Sequence, residues 1–201
     1  MDLKAMGPKP YACAGLAAPV IMIVCVLFCV MFEDGWDYKV NSMCDFGVSS
    51  NPAVAAAFIG GCLVSGVLFM VAGLGWIFFE ESKYVRIGGA VVMVSGVALM
   101  CVGVFDKTYD FHPYVSIVYA LIFIVAIAFV CLQDIIDRHL ILVFGFLILA
   151  LYGVATLFSD FAPYALTQTL LMGYVFVWFF LKSLKYFDPQ NPMLRKIIGL
   201  E

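Results

Sequence analysis

Charged residues are scarce in this chain. Asp, Glu, Lys and Arg make up 12% of the 201 residues, against about 25% in a soluble domain. The apolar residues, 65% of the total, come in long runs, whereas the strands of a transmembrane β-barrel alternate. The net charge of -3 gives no sign of nucleic-acid binding. The composition therefore predicts a polytopic helical membrane protein.

Motifs for disulfides and cofactors are also missing. The seven cysteines include no CxxC pair, so a disulfide framework is not expected. There is no HxxxH or HExxH metal signature. No cofactor is evident, although a divalent cation could bind a cluster of loop Asp and His residues.

The apolar runs predict an all-α fold with six transmembrane helices in one domain, 1–201. Each run has close to the ~20 residues that cross a hydrocarbon core of ~30 Å. The predicted spans are Tyr11–Phe32, Ala53–Phe79, Ile87–Phe105, Pro113–Leu132, Leu140–Phe158 and Pro163–Leu181.

Lysine and arginine are unequally distributed between the two ends of these spans. Only Lys39 and Lys107 fall in the loops opposite the termini. Because positive residues favour the cytoplasmic side, both termini are expected to be cytoplasmic. We expect a multi-pass plasma-membrane protein, and the compact size suits a prokaryotic one. Its expected partners are membrane lipids and not nucleic acid.

Two polar segments, Asn41–Gly47 and Asp106–His112, stand in the predicted outer loops. A histidine beside a carboxylate can act as a general base. His112 and Asp45 are therefore the candidate catalytic residues, expected within hydrogen-bond reach directly or through one water. The alternative is a structural role, because loop carboxylates are commonly helix caps or solvated surface charges. The candidates for binding a ligand or tethering the loops are Asp106, Asp110, Asn51 and Cys44.

Small residues predict where helices pack, since close backbone approach drives helix association in lipid. The second and third spans are expected to form a tight hairpin. A homo-oligomer could use the same residues, so the oligomeric state stays open. The residues are Gly61 and Ser65 on the second span and Gly89, Gly96 and Gly103 on the third.

The polar segments resemble signatures of the DUF998 family of membrane proteins. Cys44–Pro52 is similar to its S-D-L-G…P signature after the first helix, and Gly103–Asp106 followed by His112 is similar to its G-x-F-P…H signature. Cys44 replaces a common Ser and Asp106 a common Pro. The resemblance implies a six-helix layout and singles out Asp45 and His112, but it implies no reaction.

Two functions are compatible with these features. The first is a non-catalytic membrane protein that binds lipid or a membrane partner, with the outer Asp/His cluster holding its loops. The alternative is a lipid-active hydrolase or transferase that uses His112 as base and Asp45 as its orienting group. A small transporter is less favoured, because the span interiors have almost no ionisable residues.

Overall fold

A computed structural model describes residues 7–136, 143–145, 147–148, 151 and 164–187. All regular elements in these ranges are helices. They are α1 (Lys9–Phe32), a 3-10 helix (Met43–Val48), α2 (Pro52–Phe79), α3 (Lys83–Val104), α4 (His112–Ile136) and α5 (Tyr164–Phe187).

Helices α1 to α4 are each long and apolar enough to cross a membrane. Helix α5 contains a shorter apolar stretch, Gln168–Leu184. The predicted fifth span, Leu140–Phe158, lies for the most part outside the described residues. The fold is therefore that of a helical multi-pass membrane protein, while the count of six spans and the cytoplasmic termini stay predictions.

Helices α3, α4 and α5 extend at least four residues further than their apolar runs, with α5 ending at Phe187 rather than Leu181. Helix α3 begins at Lys83 rather than Ile87, and α4 continues to Ile136 rather than ending at Leu132. The start of α3 is set by Ser82, whose hydroxyl accepts a hydrogen bond from the Val85 amide at 3.5 Å. The same hydroxyl donates to Gln133 of α4 at 2.5 Å. Polar residues thus continue α3 and α4 past the hydrophobic segments.

The helices pack in chain order, with α1 on α2, α2 on α3 and α3 on α4, while α5 contacts α1. Aromatic rings fill the centre of the bundle. The Phe69 ring centroid lies 4.8 Å from that of Phe179 and 5.4 Å from that of Phe123. These edge-to-face contacts join α2, α4 and α5 in one core.

Glycine brings the backbones of α2 and α3 together at two levels. A Cβ atom on Gly96 would lie 2.5 Å from the Gly66 carbonyl oxygen, and one on Gly89 would lie 2.8 Å from that of Gly73. Gly103, one level further along α3, faces the side chain of Cys62. The glycines at 89, 96 and 103 therefore lie against α2.

Gly61 and Ser65 face a different neighbour. A Cβ atom on Gly61 would lie 2.9 Å from the Cys25 Cβ of α1. The Ser65 hydroxyl donates to the Ala18 carbonyl of α1 at 2.9 Å. This pair therefore packs α2 against α1, and the α3 contact uses Gly66 and Gly73 instead.

Replacing Gly96 with Ala should destabilise the protein by about 1–3 kcal/mol, because the added methyl overpacks a backbone contact that cannot yield like a flexible side chain. The measurement is the midpoint of thermal unfolding in detergent. Gly60→Ala in α2 is the matched control, since nothing lies within 4 Å of its Cβ position. It should be neutral or stabilising. Equal effects of the two substitutions would contradict the α2–α3 contact.

Candidate functional site

The α1–α2 and α3–α4 connections, residues 33–51 and 105–111, meet at one end of the bundle, which we call the cluster end. Their contact is an ion pair between the Lys107 ammonium and Asp45 Oδ1. The 3-10 helix presents Asp45 from the first connection, while its Cys44 and Phe46 point inward and are buried. The 3-10 helix thus covers this end of the bundle, and its apolar side chains lie on the side that faces the helices.

The second oxygen of the Asp45 carboxylate binds the backbone of its own connection. Oδ2 accepts from the Ser42 amide at 2.6 Å, which is half of a capping box at the start of the 3-10 helix. Partial burial by itself would raise the pKa of Asp45. Lys107 and the Ser42 amide outweigh it and hold the pKa below its ordinary value. Asp45 is therefore an ionised carboxylate with both oxygens occupied.

His112 begins α4 and is 3% exposed. Its Nδ1 binds the Phe105 carbonyl. Because a carbonyl oxygen only accepts, Nδ1 carries a proton in this contact. The Ser116 hydroxyl lies 3.2 Å from Nε2, and a hydroxyl can donate to this nitrogen or accept from it. One backbone carbonyl therefore holds a proton on Nδ1 of this histidine.

The chain of polar contacts continues from Ser116 to Cys44. The Ser116 Oγ to Cys44 Sγ distance is 3.9 Å, which suits a weak thiol hydrogen bond. Cys44 is 9% exposed, and burial raises the pKa of its thiol above the ordinary value despite the opposing effect of Ser116. At neutral pH the group is a thiol and a poor nucleophile.

No direct hydrogen bond joins Asp45 and His112, and a contact through one water stays a prediction. The polar atoms of both side chains bind other groups: Lys107 and Ser42 for Asp45, and Phe105 and Ser116 for His112. The residue that approaches His112 from the 3-10 helix is Cys44, through Ser116. The two connections are thus joined by two separate links.

The other candidate residues mostly order their own loops. Asp106 Oδ1 accepts from the Thr108 amide and hydroxyl at 2.9 and 2.5 Å, and these bonds lower the pKa of the carboxyl. Asn51 caps α2 through the Ala53 amide at 3.1 Å and donates to the Phe32 carbonyl of α1 at 3.2 Å. Asp110 is exposed and hydrogen-bonds no described residue.

Within the described ranges, no three His, Cys, Asp or Glu side chains form a group that could hold a metal ion. A divalent cation at the loop Asp and His residues therefore stays a prediction.

Three contacts at the cluster end were not predicted from the sequence. Ser116 lies one helical turn after His112, an i, i+4 spacing that could have indicated it. Lys107 was interpreted only as one of two outer cations. The bond from the Met43 amide to Gln168 of α5, at 3.0 Å, joins residues far apart in the chain and leaves no local signal.

A second charged pair lies near the other end of the bundle. Lys182 of α5 and Asp134 of α4 form an ion pair, and the residues are 9% and 3% exposed. Lys182 directly follows the predicted sixth span, yet its side chain is turned inward and its ammonium lies 6.0 Å from the Trp178 ring centroid. A charge buried in this way requires its partner, so the pair joins α4 to α5.

Helices of this length and apolarity, with polar contacts gathered at their ends, define a multi-pass integral membrane protein. The family whose model matches residues 16–185 is described as a protein of unknown function, DUF998. The chain belongs to this family, as its two signatures indicate. Comparisons with curated proteins and with solved structures find no match to the chain.

Replacing Asp45 with Asn should reduce stability in a pH-dependent manner. Because the folded pKa lies below the ordinary value of 3.8, the stability from the ionised carboxylate is present above that value and lost as pH falls through the folded pKa. The measurement compares thermal unfolding of wild type and variant in detergent from neutral to acidic pH. Their difference should shrink on acidification.

The control is Asp110→Asn, which alters an exposed carboxylate without a hydrogen-bond partner among the described residues. It should leave stability close to wild type at every pH. A difference between wild type and Asp45→Asn that stays constant down to strongly acidic pH would contradict the assigned ion pair.

Proposed function

We propose that the protein binds membrane lipid without catalysing a reaction, and that its Asp/His cluster fastens the two connections to α4. The observation that carries this proposal is the use of every side-chain polar atom of Asp45 and His112 within the chain. A general base must reach a proton of its substrate. Here Nε2 of His112 is directed at Ser116 and the ring is buried.

There is an energetic reason for the polar contacts that join the two connections to α4. Polar groups near the hydrocarbon region are costly when unpaired, because lipid offers no hydrogen bonds. Phe105 ends α3 with a carbonyl that no further helical turn can satisfy, and His112 supplies the donor. The histidine therefore performs a structural task that accounts for its burial.

Lipid binding is supported by the apolar faces left uncovered on the helices. Val20, Val24, Leu27 and Met31 recur on one face of α1 and are 43–76% exposed together with their neighbours Val30 and Phe32. On α4, Ile117, Leu121, Ile124 and Leu132 are likewise uncovered. Acyl chains are the occupants that such surfaces meet in a bilayer.

One observation favours a lipid-active enzyme as the second candidate. A serine hydroxyl bound to Nε2 of a histidine, whose Nδ1 is held by an acceptor, has the arrangement of an activated nucleophile. Ser116 is half-buried and lies one turn below the start of α4. In this reading Ser116, rather than Asp45, acts with His112 on a lipid ester.

Two substitutions separate these functions. His112→Ala leaves the Phe105 carbonyl and the Ser116 hydroxyl without their partner and should lower stability by about 1–3 kcal/mol. Ser116→Ala removes only the contacts of its hydroxyl and should lower stability less. Thermal unfolding in detergent measures both, and a fluorescent phospholipid reports ester hydrolysis by the same samples. The proposed non-catalytic function predicts that His112→Ala is less stable than Ser116→Ala. It also predicts that wild type and both variants hydrolyse no lipid.

The enzyme would be indicated by wild-type turnover that Ser116→Ala abolishes while its unfolding midpoint stays unchanged. Ser95→Ala is the control for a hydroxyl lost from a buried helical site, since the Ser95 hydroxyl donates within its own helix to the Val92 carbonyl at 2.8 Å and to no other described residue. It should affect neither the cluster nor any turnover.

A further inference from the structure

An open groove of about 320 Å³ lies at the end of the bundle opposite the cluster. It is lined by Ile77 of α2 and by Lys83, Arg86, Ile87 and Ala90 of α3. The four α3 residues are spaced i, i+3, i+4 and i+7, so they share one face of the helix. All four are exposed. The groove therefore combines two cations with apolar walls on an exposed face of α3.

The two cations are placed to meet an anion. Neither Lys83 nor Arg86 forms an ion pair with a described carboxylate. The Lys83 ammonium lies 5.1 Å from the Tyr84 ring centroid, a cation–π contact that leaves its hydrogen-bond donors available. Glu80 and Glu81, on the same short connection, do not line the groove. The charged side chains that line the groove are thus both positive.

An apolar track continues from the cations toward the middle of the bundle. Beyond Ile87 and Ala90, the same side of α3 exposes Val94 and Val97. The rise from Arg86 to Val97 is roughly 16 Å at 1.5 Å per residue. This is close to the ~15 Å depth of one leaflet, half of a ~30 Å hydrocarbon core. The face therefore matches one headgroup and one acyl chain.

The position of this face is set by the rest of the fold. On the other side of α3, Gly89 is held against the Gly73 backbone of α2. At the start of the helix, Ser82 is bonded to Gln133 of α4. Because α3 is held by both neighbours, Lys83 and Arg86 are presented on a rigid support rather than on a mobile loop.

We propose that this groove is a binding site for an anionic phospholipid, whose phosphate pairs with Lys83 and Arg86 while an acyl chain follows Ile87, Ala90 and Val94. Basic residues between helices at the membrane surface recognise anionic headgroups in this way. The proposal rests on the proposed lipid-binding function and adds the class of lipid and the site.

The test uses the full chain purified in detergent and native mass spectrometry with added phosphatidylglycerol or phosphatidylcholine. At roughly fivefold per cation near the surface, the two cations should give wild type a preference for phosphatidylglycerol of roughly 10- to 30-fold. The variant K83Q/R86Q should lose this preference while binding phosphatidylcholine as wild type does. The variant K83R/R86K, which keeps both charges, should retain it.

The matched control is K9Q/K39Q, which removes the same charge from exposed positions outside the groove and should retain the preference. Inorganic phosphate alone should not displace the bound lipid. Equal binding of both lipids by wild type, or equal loss of preference in K9Q/K39Q and K83Q/R86Q, would overturn the site but leave lipid binding standing. Displacement by inorganic phosphate would overturn the lipid as ligand. If wild type bound neither phosphatidylglycerol nor phosphatidylcholine, the proposed lipid-binding function would be overturned as well.

Discussion

The backbone contact between α2 and α3 determines where both ends of the bundle place their polar residues. Glycines allow the helices to approach until side chains no longer separate them, which is how helices associate without a hydrophobic drive in lipid. At one end this contact positions the Phe105 carbonyl for His112. At the other it positions Lys83 and Arg86 along the groove beside Ile77. A shift of α3 would disturb both ends together.

Asp45, His112, Ser116 and Cys44 at the cluster end are bonded within the chain. Asp45 binds Lys107 and Ser42, and the Cys44–Ser116–His112 chain ends on a backbone carbonyl. These pairings explain how Asp45 and His112 can pack at the end of a membrane helix with every side-chain polar atom bonded, whereas the buried Ser42 hydroxyl has no partner among the described residues. The same pairings also explain why the cluster fits a fastening better than a reaction centre. The groove along α3 differs, because its Lys83 and Arg86 form no ion pair with a described carboxylate and lie beside apolar walls.

The sequence predicted those elements that depend on residues close together in the chain. Long apolar runs indicated α1 to α4, and the glycines at 89, 96 and 103 lie on the face of α3 that meets α2. The 3-10 helix was missed, since a short polar segment has no periodicity to read. The pairing of Asp45 with Lys107 and of Lys182 with Asp134 depends on which helices are neighbours. Signatures singled out Asp45 and His112, but only the fold shows that they bind different partners.

The central claim is that the polar groups of the cluster are bonded within the chain and inaccessible to a substrate. The reactivity of Cys44 tests this claim most directly. A variant that keeps Cys44 as its single cysteine is treated in detergent with a maleimide, folded and after unfolding. A buried thiol linked to Ser116 should react at least roughly tenfold more slowly in the folded protein, because both access and thiolate fraction are reduced. Equal rates in the two states would show an open, accessible site and contradict the fastening.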